Sequence, residues 1–171
     1  MKTYTCILFA NSKAWWAWPG RTLIKWVTGK KYSHCAILIR GDHDVDWVYE
    51  SVFPVSRKIR FLDWHKKYDV YWVYTLVDEM GMENNLDPLV GMRYSIKQLL
   101  MIYAQIIFEK IGITVLFNNL NNNHLICSEL IGIYLVNHHG VDFKESSDTL
   151  GLDEIEKALE RLKTNGNISS Y

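Results

Sequence analysis

Two periods of apolar and polar residues alternate along this chain. A period near two, rich in β-branched and aromatic residues, marks strands. It covers Tyr4 to Phe9, Tyr32 to Ile39, Val45 to Val52 and Asp69 to Leu76, with a weaker alternation from Val55 to Arg60 after Pro54. The run from Tyr32 to Ile39 is apolar on both faces and is expected at the centre of a sheet. Gly41-Asp42-His43-Asp44 is turn chemistry, so this run and the next form a hairpin. Spacings of three and four mark helices: Arg21 to Thr28 with Gly29 as its stop, about Ile96 to Ile111, a run beginning near Cys127 and ending near Gly140, and about Asp153 to Leu162. The segment Asn11 to Gly20, which holds Trp15, Trp16 and Trp18, reads as a loop. The helix from Ile96 is apolar nearly all round, but Lys97, Gln98, Gln105, Glu109 and Lys110 interrupt it. It falls short of the roughly 20 uncharged residues that span a bilayer. A core helix is favoured over one lying on a membrane.

Composition narrows the class. The chain has 171 residues, 49% apolar and 22% charged, ordinary values for one globular domain. The formal net charge is zero, and no long basic block offers a footprint for nucleic acid. Cys6, Cys35 and Cys127 are odd in number and far apart, which argues against a disulfide framework and suits a reducing compartment. No CxxC pair suggests structural zinc. The apolar start is too short for a signal peptide, so a cytoplasmic location is expected.

One stretch carries candidate chemistry. Leu125-Ile126-Cys127-Ser128-Glu129 follows an asparagine-rich loop, Asn118 to Asn123, and opens a helix. A cysteine on a first helical turn meets unpaired backbone N–H groups and the positive end of the helix dipole. Both favour the thiolate, the attacking form. A thiol nucleophile needs a base, and the base needs an orienting partner. Of six histidines only His34 lies inside a predicted buried strand, where a polar side chain needs a reason. A hairpin loop centred on Asp42 would pair residues whose numbers sum to 84. His34 would then face Glu50 directly, on the same side of the sheet; a slip of one residue would separate them. Packing remains the ordinary role for such a cysteine. A metal set of His34, His124 and Cys127 matches no standard ligand spacing. Glu129 fits helix-dipole and cap chemistry.

Four strings in order resemble the permuted papain-like cysteine hydrolases: Tyr32-Ser33-His34-Cys35-Ala36-Ile37-Leu38-Ile39, Val48-Tyr49-Glu50-Ser51, Gly91-Met92-Arg93-Tyr94-Ser95 and Ile126-Cys127-Ser128-Glu129-Leu130. The chain is most similar to the YiiX-like branch related to the NlpC peptidases, with lecithin retinol acyltransferase a more distant relative. The resemblance implies an α+β, circularly permuted papain-like fold: a mostly antiparallel sheet of about five strands packed against helices, with the nucleophile at a helix N-terminus. The chain itself, without repeats or linkers, reads as one domain over residues 1–163 with a flexible tail over 164–171. The resemblance, over about Tyr4 to Gly140, implies a catalytic set of Cys127, His34 and Glu50 with no metal or organic cofactor. The implied substrates are peptidoglycan-peptide or isopeptide-like amides, with acyl-lipid esters second. A non-catalytic binding protein on the same scaffold is the rival from another class. Two residues depart from the family pattern: Cys35 directly after the histidine, expected on the opposite face, and Ser95 after Tyr94. Trp15, Trp16, Trp18 and Tyr94 are the expected substrate contacts.

Overall fold

The computed structural model describes residues 2–40, 45–79, 83–113, 124–143, 150–164 and 168–170. Element order is β1 (Lys2–Ser12), α1 (Trp18–Thr28), β2 (His34–Arg40), β3 (Asp46–Glu50), β4 (Arg57–Arg60), α2 (Phe61–His65), β5 (Tyr68–Glu79), α3 (Glu83–Leu86), α4 (Ile96–Lys110), α5 (Cys127–His139), α6 (Leu152–Thr164) and β6 (Ile168–Ser170). The protein is α+β, with one antiparallel sheet in the order β4-β3-β2-β1-β5-β6. The expected strands are all present. The sheet has six strands, not about five, because Ile168–Ser170, placed by the sequence in a flexible tail, pairs with Tyr74–Leu76.

Side-chain alternation sends the strand residues to two unlike layers. Ile7, Phe9, Cys35, Ile37, Ile39 and Tyr49 face α5 and α6 and meet Leu130, Ile131, Tyr134, Ile155 and Leu159 in the main core. Leu8, Ala10, Ala36 and Val48 face the other way and are covered by Trp64 of α2 and Tyr68. A third cluster joins α1 to α4 through Val27, Ile102 and Tyr103, with Ile126 just before α5.

The segment expected as a tryptophan loop is helical. Trp15–Ala17 forms a 3-10 turn that runs into α1, and Pro19 sits in the first turn of that helix. Proline is tolerated there because that N–H has no helical acceptor. Gly29 (φ 71°) and Gly140 (φ 60°) adopt the left-handed conformation that ends α1 and α5, as the spacing predicts. Helix α4 is half-buried, not wholly core: Gln98, Ile102, Tyr103 and Gln105 point inward, while Ile96, Leu100 and Ile107 are exposed. Among the described residues no helix is long and apolar enough to cross a membrane. The turn at Gly41–Asp44 and the loop at Asn118–Asn123 lie outside the described residues.

Candidate active site

His34 is the first residue of β2 and Glu50 the last of β3, so both stand at one end of the sheet. Their register differs from the expected one. Ile37 pairs with Tyr49 and Leu38 with Val48, so paired numbers sum to 86, and His34 and Glu50 are diagonal neighbours. The two-residue difference keeps both side chains on one face, and long side chains reach across a diagonal. His34 Nε2 lies 2.9 Å from Glu50 Oε2.

Glu50 is fully buried, and both its oxygens are occupied. Trp64 Nε1 donates to Oε2 at 2.9 Å, while Arg57 donates to Oε1 through Nε at 2.8 Å and Nη2 at 2.6 Å. Tyr68 stacks between the His34 ring, 5.1 Å away, and the Trp64 ring, 4.6 Å away. Burial raises the Glu50 carboxyl, but the His34 contact and the Arg57 charge outweigh it and hold the group at about 2. The carboxylate is thus fixed, charged and aimed at the imidazole.

Cys127 is the first residue of α5. Ser51 Oγ, next to Glu50, donates to the Leu125 carbonyl at 2.6 Å and ties the end of β3 to the approach of that helix. The Leu125 N–H donates to the Arg93 carbonyl at 2.9 Å, and the Tyr94 N–H to the Pro54 carbonyl at 2.9 Å. Glu129 accepts from the Ile126 N–H at 2.9 Å and from Gln98 Nε2. It is the cap expected of it.

The Cys127 sulfur interacts with the Cys35 thiol and backbone N–H and with the His34 imidazole. The Cys35 contact lowers the Cys127 thiol well below 9; burial opposes this and His34 adds to it. Burial and the neighbouring Cys127 push Cys35 up, so Cys35 remains the S–H donor. Burial opposes charging His34, but its contacts with Cys127 and Glu50 raise it to about 9. Both shifts run in the direction that favours a thiolate beside an imidazolium, whose Nε2 is bonded to the Glu50 carboxylate.

Cys35 lies on the face opposite His34, as expected, yet reaches Cys127 because both thiols face the α5 layer. Sequence reasoning took Cys35 for a departure and missed its contact with Cys127. It also missed Arg57 and Trp64, which come from β4 and the five-residue α2.

Two cavities meet at this point. An open cleft of about 910 Å³ is lined by His34, Trp15, Phe53, Tyr68 and Tyr94 and by five cations, Lys13, Arg21, Arg57, Lys66 and Lys67. A narrow, mostly apolar crevice reaches Cys127 from α1 and α4 through Ile24, Leu99, Ile102 and Ile126. Ile24, Ser33 and Tyr94 line both. Tyr94 therefore stands where the crevice at Cys127 meets the cleft at His34, and Trp15 stands in the cleft. Trp18 is exposed on α1 outside the cleft lining, and the Trp16 side chain lies outside the described residues. His124 forms a bridge with Arg93 and joins no metal site; among the described residues no three His, Cys, Asp or Glu side chains are placed to hold a metal ion. No family model, curated protein or solved structure matches the chain, so the geometry of these side chains carries the functional reading.

Proposed function

We propose that the protein is a cysteine hydrolase that cleaves an amide bond of the peptidoglycan-peptide or isopeptide kind through Cys127, His34 and Glu50. The observation that carries this reading is His34, bonded to the Glu50 carboxylate at 2.9 Å and placed beside the Cys127 sulfur at the head of α5. In this reading the Cys127 thiolate attacks the carbonyl carbon, forming a C–S bond as the carbonyl electrons move to oxygen. The Cys127 backbone N–H, free of a helical acceptor at the first position of α5, stabilises that oxyanion. On collapse, the C–N bond breaks and the His34 imidazolium gives its proton to the departing amine. Neutral His34 then takes a proton from water, which hydrolyses the thioester and restores the thiolate–imidazolium pair. Glu50 holds the ring orientation and favours its charged form throughout.

A second reading, an acyl-lipid thioesterase or acyltransferase at a membrane surface, follows the same thiolate steps on an ester or thioester. Trp15, 86% exposed at the cleft mouth, favours it as an apolar contact. A thiol-directed acyl probe tests the shared chemistry. Labelling is expected in the wild type and in Cys35→Ser, and to be lost in Cys127→Ala and His34→Ala. Equal labelling of all four would contradict the reading and leave a binding protein on this scaffold.

A further inference from the structure

Beside the cleft, two helices in contact present apolar residues to solvent. On α1 these are Trp18, Leu23 and Trp26, the last 71% exposed; on α4 they are Leu100, Ile107 and Ile111, the last just beyond the helix end and 65% exposed. The spacing makes each set a stripe along its helix. The opposite sides of both helices are engaged with each other and with Ile126. Exposed apolar stripes of this kind on a folded chain mark surface that another phase or molecule covers.

Charge identifies the occupant. The chain is neutral overall, yet residues 1–41 hold Lys2, Lys13, Arg21, Lys25, Lys30, Lys31 and Arg40 and no carboxylate. Lys30 is paired with Glu156 and Asp153 of α6. Arg21 and Lys25 lie on α1 itself, Lys97 on the exposed first turn of α4, and Lys31 just beyond α1. The adjoining cleft adds Lys66 and Lys67. A second copy of the chain meeting this face would bring like charges together. Tryptophan and isoleucine flanked by cations instead suit the boundary between acyl chains and anionic headgroups.

We propose that the α1–α4 face seats the protein on an anionic phospholipid bilayer, with the mouth of the His34 cleft beside the lipid surface. The docking itself does not require the hydrolase reading; only its use in delivering a substrate to the cleft rests on that reading. The test therefore uses full-length Cys127→Ala in co-sedimentation with vesicles of phosphatidylcholine alone or mixed with phosphatidylglycerol. Binding to the mixed vesicles is expected, weakened by high salt. Trp18→Ala/Trp26→Ala should lower the bound fraction about tenfold, and Lys25→Glu/Lys97→Glu should abolish the preference for the anionic lipid. Leu62→Ala, an exposed apolar site on α2, should bind as the parent does. Far-ultraviolet dichroism establishes that each variant is folded. Absence of binding to both vesicles, binding indifferent to the tryptophan and lysine variants, or a dimer that the tryptophan variant dissolves would each overturn the proposal. Docking of Cys127→Ala with no probe labelling of the wild type would overturn the hydrolase reading alone; labelling of the wild type with no docking of Cys127→Ala would overturn the docking alone.

Discussion

The two faces of the sheet hold the two halves of the candidate site by different physics. On the α5–α6 side Cys127 rests in an apolar layer with Leu130, Ile131 and Tyr134, and its position follows from packing. On the α2 side His34 rests on a charged network: Glu50, Arg57 and Trp64, with Tyr68 stacked on the ring. Hydrophobic packing is insensitive to protonation, whereas a buried carboxylate with four donors depends on its charge. The packing around Cys127 should therefore be robust to pH, and the network around His34 should not.

The largest expected effect is that of Glu50→Ala. It leaves the Arg57 guanidinium, the Trp64 N–H and the His34 ring without their acceptor, costing about 3–5 kcal/mol of stability, which denaturant unfolding measures. Ile131→Ala, on the packed side, should cost about 2–5 kcal/mol through a cavity, and the loss should be the same at pH 4 and pH 7. If the Glu50→Ala loss is equally independent of pH, the contrast between the faces fails.

Acid titration sharpens it. The ordinary carboxyl value is 4.5, and folded Glu50 sits at about 2. Its stabilisation is full above the ordinary value and is lost as pH falls from about 4.5 to 2. For His34 the folded value is higher, about 9 against 6.5, so its contribution is full below 6.5 and is lost as pH rises toward 9. Melting temperatures across pH should show both limbs in the wild type, and Glu50→Gln should flatten the acid one.

Smaller effects concern the donors. Cys35→Ala removes the S–H that meets the Cys127 sulfur, whereas Cys35→Ser keeps a donor. At neutral pH the alanine variant should alkylate at Cys127 several-fold more slowly than the serine variant, as followed by mass spectrometry with a haloacetamide. Trp64→Phe deletes one hydrogen bond to Glu50 while preserving most of the packing. It should cost about 1–3 kcal/mol and move the acid limb upward.

Much of this contrast was legible in the chain. Period-two alternation identified β2 and β3, and it brought His34 and Glu50 to one face even though the register differs by two. Parity, not exact pairing, carries the face assignment. Cys127 was legible as a helix start because the apolar spacing begins there and ends at Gly140. The rest was hidden for physical reasons. Trp64 lies on an element of five residues, too short to show a period, and the weak alternation around Arg57 says nothing of its partner. Asn11 to Gly20 reads as a loop although its end is helical, because a proline such as Pro19 signals both a loop and a first helical turn. The contact between Cys35 and Cys127 comes from strand and helix meeting across the core, which no local spacing encodes. Ile168–Ser170 is three residues long and joins an edge, so nothing in its composition marks it.

The thiolate state of Cys127 tests the central claim most directly. It is read as the ultraviolet thiolate absorbance of the wild type minus that of Cys127→Ala, followed from acid to alkaline pH. The account predicts a thiolate already formed at neutral pH, well below the ordinary value of 9, and a return toward that value in His34→Ala. A Cys127 that titrates near 9 in the wild type, or a lowered value that survives His34→Ala unchanged, would contradict it.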